Sequence, residues 1–361
     1  MTPDGNTRAD PAPRRPANPP DRSMRSLSVV QVVRSGGFAG VERYMCQVSN
    51  GLAARGHHLT VIGGDPARMR SELDSAVDFL PATTLLQTAR VLAGRRHADV
   101  VHAHMTAAEG AAWLARPIQR APIVATRHFA DRRGSNRPAQ FLAGVVAHSI
   151  ARDIAISRFV AQSIDGPTVL LYNAVPDKPQ AELASPTVVM LQRLNEEKHP
   201  ELGLRIWAAS GLGTRGWRLI VAGSGDRDAA MRRLTVDLGI TDSVELVGHV
   251  ADTDRLLSDS SIMLATAPAE PFGFSVVEAM ANGIPVVAAR GGAHTETLGE
   301  DGVLFESDHV DAGAQALIQL SADPTRRREV GERLRGRQRR MFSLAQHLDG
   351  LEAIYAEVTD R

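Results

Sequence analysis

The feature that most constrains the fold is a series of short, continuously apolar runs separated by longer amphipathic ones. Strands that are apolar at consecutive positions are typical of a parallel sheet covered by helices on both faces. The first run, LSVVQVV (27–33), precedes VERYMCQVSNGLAARG (41–56), which has helical periodicity and ends in Gly. Similar runs follow at 58–64, 98–104, 121–128, 153–157, 168–173, 187–194, 217–225, 243–250, 261–268, 284–290 and 302–306. The sequence therefore predicts an α/β protein built of doubly wound parallel sheets.

The length of 361 residues suits two domains better than one core. The polar, Pro-containing stretch 174–186 divides the runs into two sets and is interpreted as an interdomain linker. We expect Rossmann-like domains at 25–176 and 177–340, with ligands in the cleft at the carboxyl ends of the strands. Residues 1–24 are Pro-rich and polar and lack the apolar region of a signal peptide, which predicts a disordered tail.

The charge balance argues against one class of function. The 41 Lys and Arg residues match the 41 Asp and Glu residues, so no net field attracts nucleic acid or a membrane. No window approaches 18 continuous apolar residues, so membrane contact is expected to be peripheral at most. The single cysteine, Cys46, excludes an intramolecular disulfide and favours a cytoplasmic location.

Two Gly-rich turns lie where a strand is predicted to run into a helix. Gly36, Gly37 and Gly40 follow the first strand, and Gly223 lies in AGSGD (222–226). Such turns let backbone N–H groups approach an anion, usually a phosphate. The first turn has neither the G-x-G-x-x-G spacing nor a Walker lysine, so an ordinary tight turn is an equal alternative there.

Histidines end two of the predicted strands. A structural role is the favoured interpretation of His102 and His104, whereas His128 precedes an Arg-rich loop and is better placed for substrate contact. The arginines near it are Arg127, Arg132, Arg133 and Arg137. They would meet an anionic acceptor or belong to a solvated loop, and the sequence favours neither. Because no third ligand with metal-site spacing follows the His-x-His pair, we expect no metal.

The stretch LQRLNEEKHP places Arg193 at a strand end and Lys198 five residues later. Two cations at the mouth of a parallel sheet can clamp a diphosphate, Arg through paired donors and Lys as a point charge. Glu196 and Glu197 lie between them, so a solvated loop is the alternative.

The stretch AEPFGFSVVEAMANGIPVVAARGG (269–292) holds two carboxylates in different settings. A Pro and a Gly keep Glu270 in a loop, and Ser275 is predicted to cap the next helix. Glu278 falls three residues after that cap, so capping of its own helix is the role that spacing favours. The N–H groups at the start of this helix would face a bound anion. They belong to Gly273, Phe274 and Ser275.

As a whole, 269–292 resembles the Glu-x7-Glu signature of the family 4 retaining glycosyltransferases, which have the GT-B fold. Further matches lie in order along the chain: GFAGVERYMCQVSNGLAARGHHLTV, ADVVHAH, DIAIS…LLYNAV, LQRLNEEKHP, RLIVAGSGD…DSVELVGHV and FSLAQHLDGLEAIY. The resemblance covers about residues 27 to 356. It implies two Rossmann-like domains facing a cleft, with a helix at 341–361 that crosses back to the N-terminal domain.

The resemblance also implies residue roles. Arg193 and Lys198 would hold the donor diphosphate, Glu270 would hydrogen-bond sugar hydroxyls, and Glu278 would bind the ribose. His128 corresponds to a family histidine close to the donor sugar and is counted with the catalytic residues. Further donor contacts are expected at Gly37, Gly40, Gly223, Gly273, Phe274 and Ser275.

The implied reaction is transfer of a hexosyl group from a UDP- or GDP-sugar to an acceptor hydroxyl, with retention and with neither metal nor cofactor. An anionic and a lipid-linked acceptor are both open. The basic segment 326–340 is interpreted as a solvated helix, with membrane contact as the alternative. The alternative enzyme is a nucleotide-sugar epimerase of similar fold, and the non-enzymatic alternative is a degenerate sugar-binding protein.

Three residues depart from the family pattern. Ala39 and Ala174 stand where Gly is usual, and they would cost stability only if the backbone there needs a positive φ. His199 stands where Gly often follows the lysine. The triplet DTD at 252–254 resembles the metal-binding motif of a different glycosyltransferase fold, and we expect it to face solvent.

Overall fold

The computed structural model describes residues 25–130, 133, 143–164 and 166–360. The predicted tail at 1–24 lies outside the described residues, as do Arg132 and Arg137 of the loop after His128. The described residues form two parallel sheets, each flanked by helices, as the sequence predicts.

The first sheet has seven parallel strands in the order β3-β2-β1-β4-β5-β6-β7. They are β1 Ser28–Val33, β2 His58–Ile62, β3 Val77–Leu80, β4 Val100–His104, β5 Ile123–Arg127, β6 Ile150–Ala155 and β7 Thr168–Leu170. Val33 pairs with His104, so β1 and β4 end level with each other. The strand order reverses between these two strands, which is where open parallel sheets bind ligands.

The second sheet has six parallel strands in the order β10-β9-β8-β11-β12-β13. They are β8 Thr187–Leu191, β9 Arg218–Ala222, β10 Val244–Gly248, β11 Ile262–Ala265, β12 Val286–Arg290 and β13 Val303–Glu306. Here the order reverses between β8 and β11, which gives a second ligand-binding edge.

Helices connect the strands of both sheets. Those of the first domain are α1 Gly40–Ala54, α2 Pro66–Glu72, α3 Leu85–Ala93, α4 Thr106–Ala115 and α5 Arg158–Ala161. Those of the second are α6 Pro200–Ser210, α7 Asp228–Asp237, α8 Thr253–Ser258, α9 Phe274–Ala281, α10 His294–Leu298 and α11 Val310–Ala322, and the chain continues through α12 Pro324–Met341 and α13 Leu344–Thr359.

Strand burial explains which elements the sequence reveals. Every residue of β4 and β5 is buried, so their apolar runs are continuous. The edge strand β3, which the sequence analysis did not predict, has four residues and exposes Asp78. An edge strand needs no continuous apolar run, and four residues are too few to establish a period.

Helix α13 packs on the first sheet, as the resemblance implies. Leu351 and Tyr355 are fully buried there, in the same core cluster as Val100. The chain thus crosses between the domains twice. The two crossings lie side by side, because Val175 on the outward path forms a parallel bridge with Ser343 on the return.

The basic segment 326–340 forms most of α12, and several of its arginines are used inside the protein. Arg327 is buried, and with Arg335 and Arg337 it donates hydrogen bonds to backbone carbonyls of neighbouring segments. These arginines join α12 to the rest of the second domain. No helix among the described residues has the length and apolarity needed to cross a membrane.

Candidate active site

A cavity of about 330 Å³ opens between the two domains, at the carboxyl ends of both sheets. Arg193 after β8 and Gly223 after β9 line the side formed by the second domain, and Gly40 at the start of α1 lines the other side. Both sides lie near points where the strand order reverses, so the cavity occupies the position at which this topology binds ligands.

Lys198 and Glu270 meet in this cavity. Lys198 Nζ lies 2.7 Å from Glu270 Oε2, and the two side chains are 12% and 16% exposed. A 3₁₀ turn at Glu196–Lys198 carries the lysine, and its carbonyl accepts hydrogen bonds from Gln192 Nε2 at 3.1 Å and Thr266 Oγ1 at 2.8 Å. The lysine is therefore fixed at both its backbone and its ammonium group, and it is not part of a solvated loop.

The residue after the lysine has an unusual backbone. His199 adopts φ +46° and ψ +51°, the left-handed conformation that favours Gly. The other two departures from the family pattern are harmless. Ala39 is extended at φ −139°, and Ala174 is not among the described residues with positive φ.

Contacts from both domains fix the loop that carries Glu270. The Glu270 carbonyl accepts from Ala293 N at 2.7 Å, and Ser157 Oγ of the first domain donates to the Pro271 carbonyl at 2.6 Å. A Cβ at Gly292 would lie 2.4 Å from Glu270 N, so the loop folds only with Gly at that position. The carboxylate is held in place before any ligand arrives.

The start of α9 differs from the prediction. Gly273, at φ +85°, occupies the N-cap position and the helix begins at Phe274, so the predicted Ser275 cap is wrong. Glu278 is the fifth residue of the helix and makes no capping hydrogen bond, so the capping box is also wrong. Gly273, Phe274, Ser275 and Glu278 all line the cavity. The free N–H groups of the first helical turn therefore lie beside it.

Glu278 is a carboxylate with little solvent. Its side chain is 15% exposed, and Arg43 Nη1 of α1 lies 4.0 Å from its Oε1. Burial raises the pKa of the Glu278 carboxyl to about 7, although Arg43 acts in the opposite direction. The residue is therefore poised to change charge near neutral pH.

Of the remaining residues that were predicted to bind the donor, Arg193, Gly223 and Gly40 line the cavity and Gly37 does not. Arg193 lines the cavity but is 57% exposed and pairs with Glu197 at 3.0 Å. A Cβ at Gly223 would lie 1.9 Å from the Gln192 carbonyl oxygen, so this turn needs Gly. Gly40 faces Phe274 across the cleft. Gly37 is exposed and does not line the cavity.

His128 lies behind the cavity wall and does not line it. It is buried and contacts Tyr44, which lines the cavity, with ring centroids 5.4 Å apart. His102 and His104 are also fully buried, and Tyr355 of α13 bonds His102 Nδ1 at 2.7 Å. Burial lowers the pKa of His102 and of His128 to about 3, with neighbouring histidines adding to the effect, so both are neutral.

The hydrogen bonds assign the protons of this cluster. Gln31 Oε1 accepts from His104 Nε2 at 2.5 Å, which leaves His104 Nδ1 free to accept from His128 Nε2 at 3.0 Å. His128 Nδ1 then carries a lone pair, and it has no hydrogen-bond partner among the described residues. The cluster thus presents one unsatisfied acceptor directly behind Tyr44.

Several polar residues that line the cavity were not predicted, and four of them bear on ligand binding. Arg43 and Gln47 lie one turn apart on α1, Arg68 lies on α2, and Thr253 begins α8. The pair on α1 carries a weak sequence signal, since polar residues spaced by four positions share a helix face. Arg68 and Thr253 carry none.

The two aspartates of the DTD triplet face solvent, as expected, whereas the triplet's central Thr253 lines the cavity. Asp252 caps α8 by accepting from Arg255 N at 3.0 Å, and Asp254 is 57% exposed and pairs with Lys178. Within the described ranges, no group of three or more His, Cys, Asp or Glu side chains is arranged to hold a metal ion.

Comparison with known proteins agrees with this geometry. Residues 38–176 match the model of Glycosyltransferase Family 4, and residues 174–337 match that of Glycosyl transferases group 1. The chain is 33% identical over 169 residues to an exopolysaccharide phosphotransferase of Streptomyces coelicolor, covering 45% of this chain and 18% of that protein. It is 32% identical over 143 residues to an N-acetyl-alpha-D-glucosaminyl L-malate synthase of Bacillus anthracis, covering 39% and 38%. The chain spans less than half the length of these two relatives.

Among solved structures, the fold resembles that of Anabaena HepE, which was crystallised with UDP and glucose. The TM-score is 0.79 at 18% identity, over 91% of this chain and 99% of that one. This likeness shows a two-domain GT-B fold. With the two family models spanning residues 38–337 between them, the chain belongs to the group 1, family 4 glycosyltransferases.

Proposed function

We propose that the protein transfers a hexosyl group from a UDP- or GDP-sugar to an acceptor hydroxyl, with retention at the anomeric carbon. The observation that carries this proposal is the pairing of Lys198 with Glu270 at 2.7 Å beside the N-terminus of α9. A cation, a carboxylate and free backbone N–H groups in one cavity can bind a sugar and its diphosphate together.

Each of these groups has a part in donor binding. Lys198 and Arg193 hold the diphosphate and offset the charge that develops as it departs. Glu270 accepts hydrogen bonds from sugar hydroxyls, and the first-turn N–H groups of α9 donate to the phosphate or the sugar. Glu278 accepts from the ribose hydroxyls, which requires Arg43 to share or release it.

Retention follows from attack on the same face as the leaving group. The bond between the anomeric carbon and the phosphate oxygen breaks, the acceptor oxygen bonds that carbon, and its proton passes to the departing phosphate. No described residue that lines the first-domain side of the cavity carries a carboxylate to serve as a covalent nucleophile. We therefore expect no glycosyl–enzyme adduct, and trapping one on Glu270 by mass spectrometry would refute this mechanism.

Two cations at the diphosphate also support a reaction without a metal ion, since they supply the charge that a divalent cation would otherwise provide. Activity that survives EDTA treatment is the expected result. Restoration of a lost activity by added Mg²⁺ or Mn²⁺ would contradict this proposal.

We further propose that α12 has a structural role and does not act as a membrane anchor. Arg327, Arg335 and Arg337 are engaged with carbonyls of the second domain. Co-sedimentation with anionic vesicles should not depend on the exposed Arg326 and Arg328. Binding that Arg→Ser changes at these two positions abolish would favour a peripheral membrane location.

A donor screen tests the function. UDP- and GDP-sugars are added without metal, and thermal shift is measured for the wild type, Lys198→Ala and the control Lys178→Ala. The control lysine pairs with Asp254 outside the cavity. We expect one nucleotide to stabilise the wild type and the control but not Lys198→Ala. Isomerised sugar formed from the donor alone would favour an epimerase, and no shift with any nucleotide would count against donor binding.

A further inference from the structure

The first-domain side of the cavity is cationic. Among the described residues that form it are two arginines, Arg43 and Arg68, and no Asp or Glu. The opposite side carries both signs, with Lys198 already paired to Glu270. Glu278 opposes Arg43 across the cavity, whereas Arg68 forms no ion pair with a described residue, and an unbalanced positive charge in a cavity attracts an anionic ligand.

Arg68 is the arginine without a carboxylate partner. Its guanidinium lies 5.2 Å from the centroid of the Phe38 ring, and it makes no hydrogen bond or ion pair to any residue that the structure describes. The nearby Asp65 is used otherwise, because its carboxylate accepts from Arg68 N and caps α2. Stacking on Phe38 orients the guanidinium and leaves its donors unused.

The two neighbours on α1 differ from each other. Arg43 leans towards the second domain, with Nη1 at 4.0 Å from Glu278 and 3.5 Å from Thr253 Oγ1. Gln47, one turn later, lines the cavity, and its side-chain amide has no hydrogen bond within the described residues. Arg68 and Gln47 therefore offer donors to something other than the protein.

The proposed donor site does not use the side chains of Arg68 and Gln47. In the proposed function, on which this inference rests, Arg193 and Lys198 of the second domain match the two charges of the diphosphate. We propose that Arg68, assisted by Gln47, binds a carboxylate or phosphate group of the acceptor, so that the acceptor of this enzyme is an anion. The guanidinium fork binds such a group through two parallel hydrogen bonds and thereby orients the hydroxyl that attacks.

The test separates the acceptor group from the donor. The protein is saturated with UDP or GDP, whichever binds, so that the diphosphate site is filled. Inorganic phosphate or malonate is then titrated by calorimetry into the wild type, Arg68→Gln and Arg68→Lys. Arg70→Gln is the matched control, because Arg70 lies on the same helix, also stacks on an aromatic ring (Phe79, 5.3 Å), and does not line the cavity.

We expect the loaded wild type and Arg70→Gln to bind the anion equally. Arg68→Gln should weaken anion binding at least about tenfold, with nucleotide affinity unchanged, since a bidentate charged pair contributes at least that much. The anion affinity of Arg68→Lys should lie between those of the wild type and Arg68→Gln, because the point charge of lysine replaces the forked guanidinium. Preference for phosphate over malonate would assign a phosphorylated acceptor, and the reverse would assign a hydroxy acid.

Three results would overturn the inference. They are no anion binding to the loaded protein, equal loss in Arg70→Gln, and an equal loss of nucleotide affinity in Arg68→Gln, which would place Arg68 in the donor site. If neither UDP nor GDP binds, the proposed function fails separately. In that case the anion is titrated, without nucleotide, into Lys198→Ala and into the double variant Lys198→Ala/Arg68→Gln. Weaker anion binding to the double variant would still support the role of Arg68, and equal binding would refute it.

Discussion

Lys198 and Glu270 come from loops 72 residues apart in sequence and form an ion pair 2.7 Å long in the cavity. Each satisfies the other before a substrate arrives. Binding of the donor has to break this ion pair. The donor phosphate then binds the ammonium group of Lys198, and a sugar hydroxyl donates a hydrogen bond to the carboxylate of Glu270. The pair thus holds both groups in place and prevents either from being buried alone.

The first prediction concerns this pair. With the correct donor, Lys198→Ala should lower kcat by about 100-fold or more, since a group aimed at developing charge is worth about 10²–10³ in rate. Lys198→Arg should not restore the rate, because a planar guanidinium cannot replace the compact ammonium group. Nucleotide release measures both, with Lys178→Ala as the control. A rate for Lys198→Ala close to that of the wild type would refute the assignment.

The second prediction uses the titration of Glu278. Burial raises its pKa from 4.5 to about 7, so the folded state binds this proton more tightly than the unfolded state. Its contribution to the free energy of unfolding is full below pH 4.5 and is lost as the pH rises through 7. Glu278→Gln removes the titration. Between pH 5 and pH 8, the free energy of unfolding of the variant should therefore rise by about 1–3 kcal/mol relative to that of the wild type.

Urea unfolding at the two pH values measures this gain. Glu245→Gln is the control, since Glu245 is 53% exposed and pairs with Arg218 on the surface. If the difference between Glu278→Gln and the wild type changes with pH no more than the difference between the control and the wild type, the carboxyl of Glu278 does not titrate in this range.

The third prediction contrasts two glycines that the sequence analysis treated alike. A Cβ at Gly223 would lie 1.9 Å from the Gln192 carbonyl oxygen, and φ is +139°. Gly223→Ala should therefore lower the free energy of unfolding by at least about 2 kcal/mol. A Cβ at Gly37 would lie 3.7 Å from Ser35 Oγ, so Gly37→Ala should change stability by less than about 1 kcal/mol. Equal losses in denaturant unfolding would argue against these turn conformations.

The fourth prediction concerns the buried histidines. The folded pKa of His102 and of His128, about 3, lies below the unfolded value of 6.5, so their contribution is present above pH 6.5 and is lost as the pH falls towards 3. As the pH falls through that window, each of these two histidines should lower the free energy of unfolding by about 1.4 kcal/mol per pH unit. Replacing His102 with Gln should reduce the slope of the unfolding free energy against pH by about 1.4 kcal/mol per pH unit, which corresponds to one bound proton. An unchanged slope between pH 4 and pH 6 would contradict this.

The sequence predicts the sheets better than the site. Burial on both faces makes β4 and β5 apolar at consecutive positions, and such a run can be recognised without a structure. The cap of α9 was misplaced because Ser275 and Glu278 match a capping box by spacing. Gly273 takes the cap position through a left-handed conformation that spacing does not reveal.

The setting of His128 was beyond local reasoning for a different reason. Its proton position depends on Gln31, which in turn contacts Tyr355, 324 residues further along the chain. Arg68 was missed because a lone arginine in a short helix is ordinary. Its significance comes from the Phe38 ring beside it and from the lack of carboxylates on that side of the cavity.

The return of α13 to the first sheet has a consequence for biosynthesis. One face of the sheet that contains Val100 and His102 cannot be fully covered until residues 344–359 have been made, after the whole second domain. At about 5–20 residues per second, this delay is on the order of ten seconds or more. During that time part of an apolar sheet face is open to solvent, and His102 Nδ1 lacks the hydrogen bond that it shares with Tyr355. The nascent chain is therefore expected to engage chaperones on the ribosome, and to do so through its first domain.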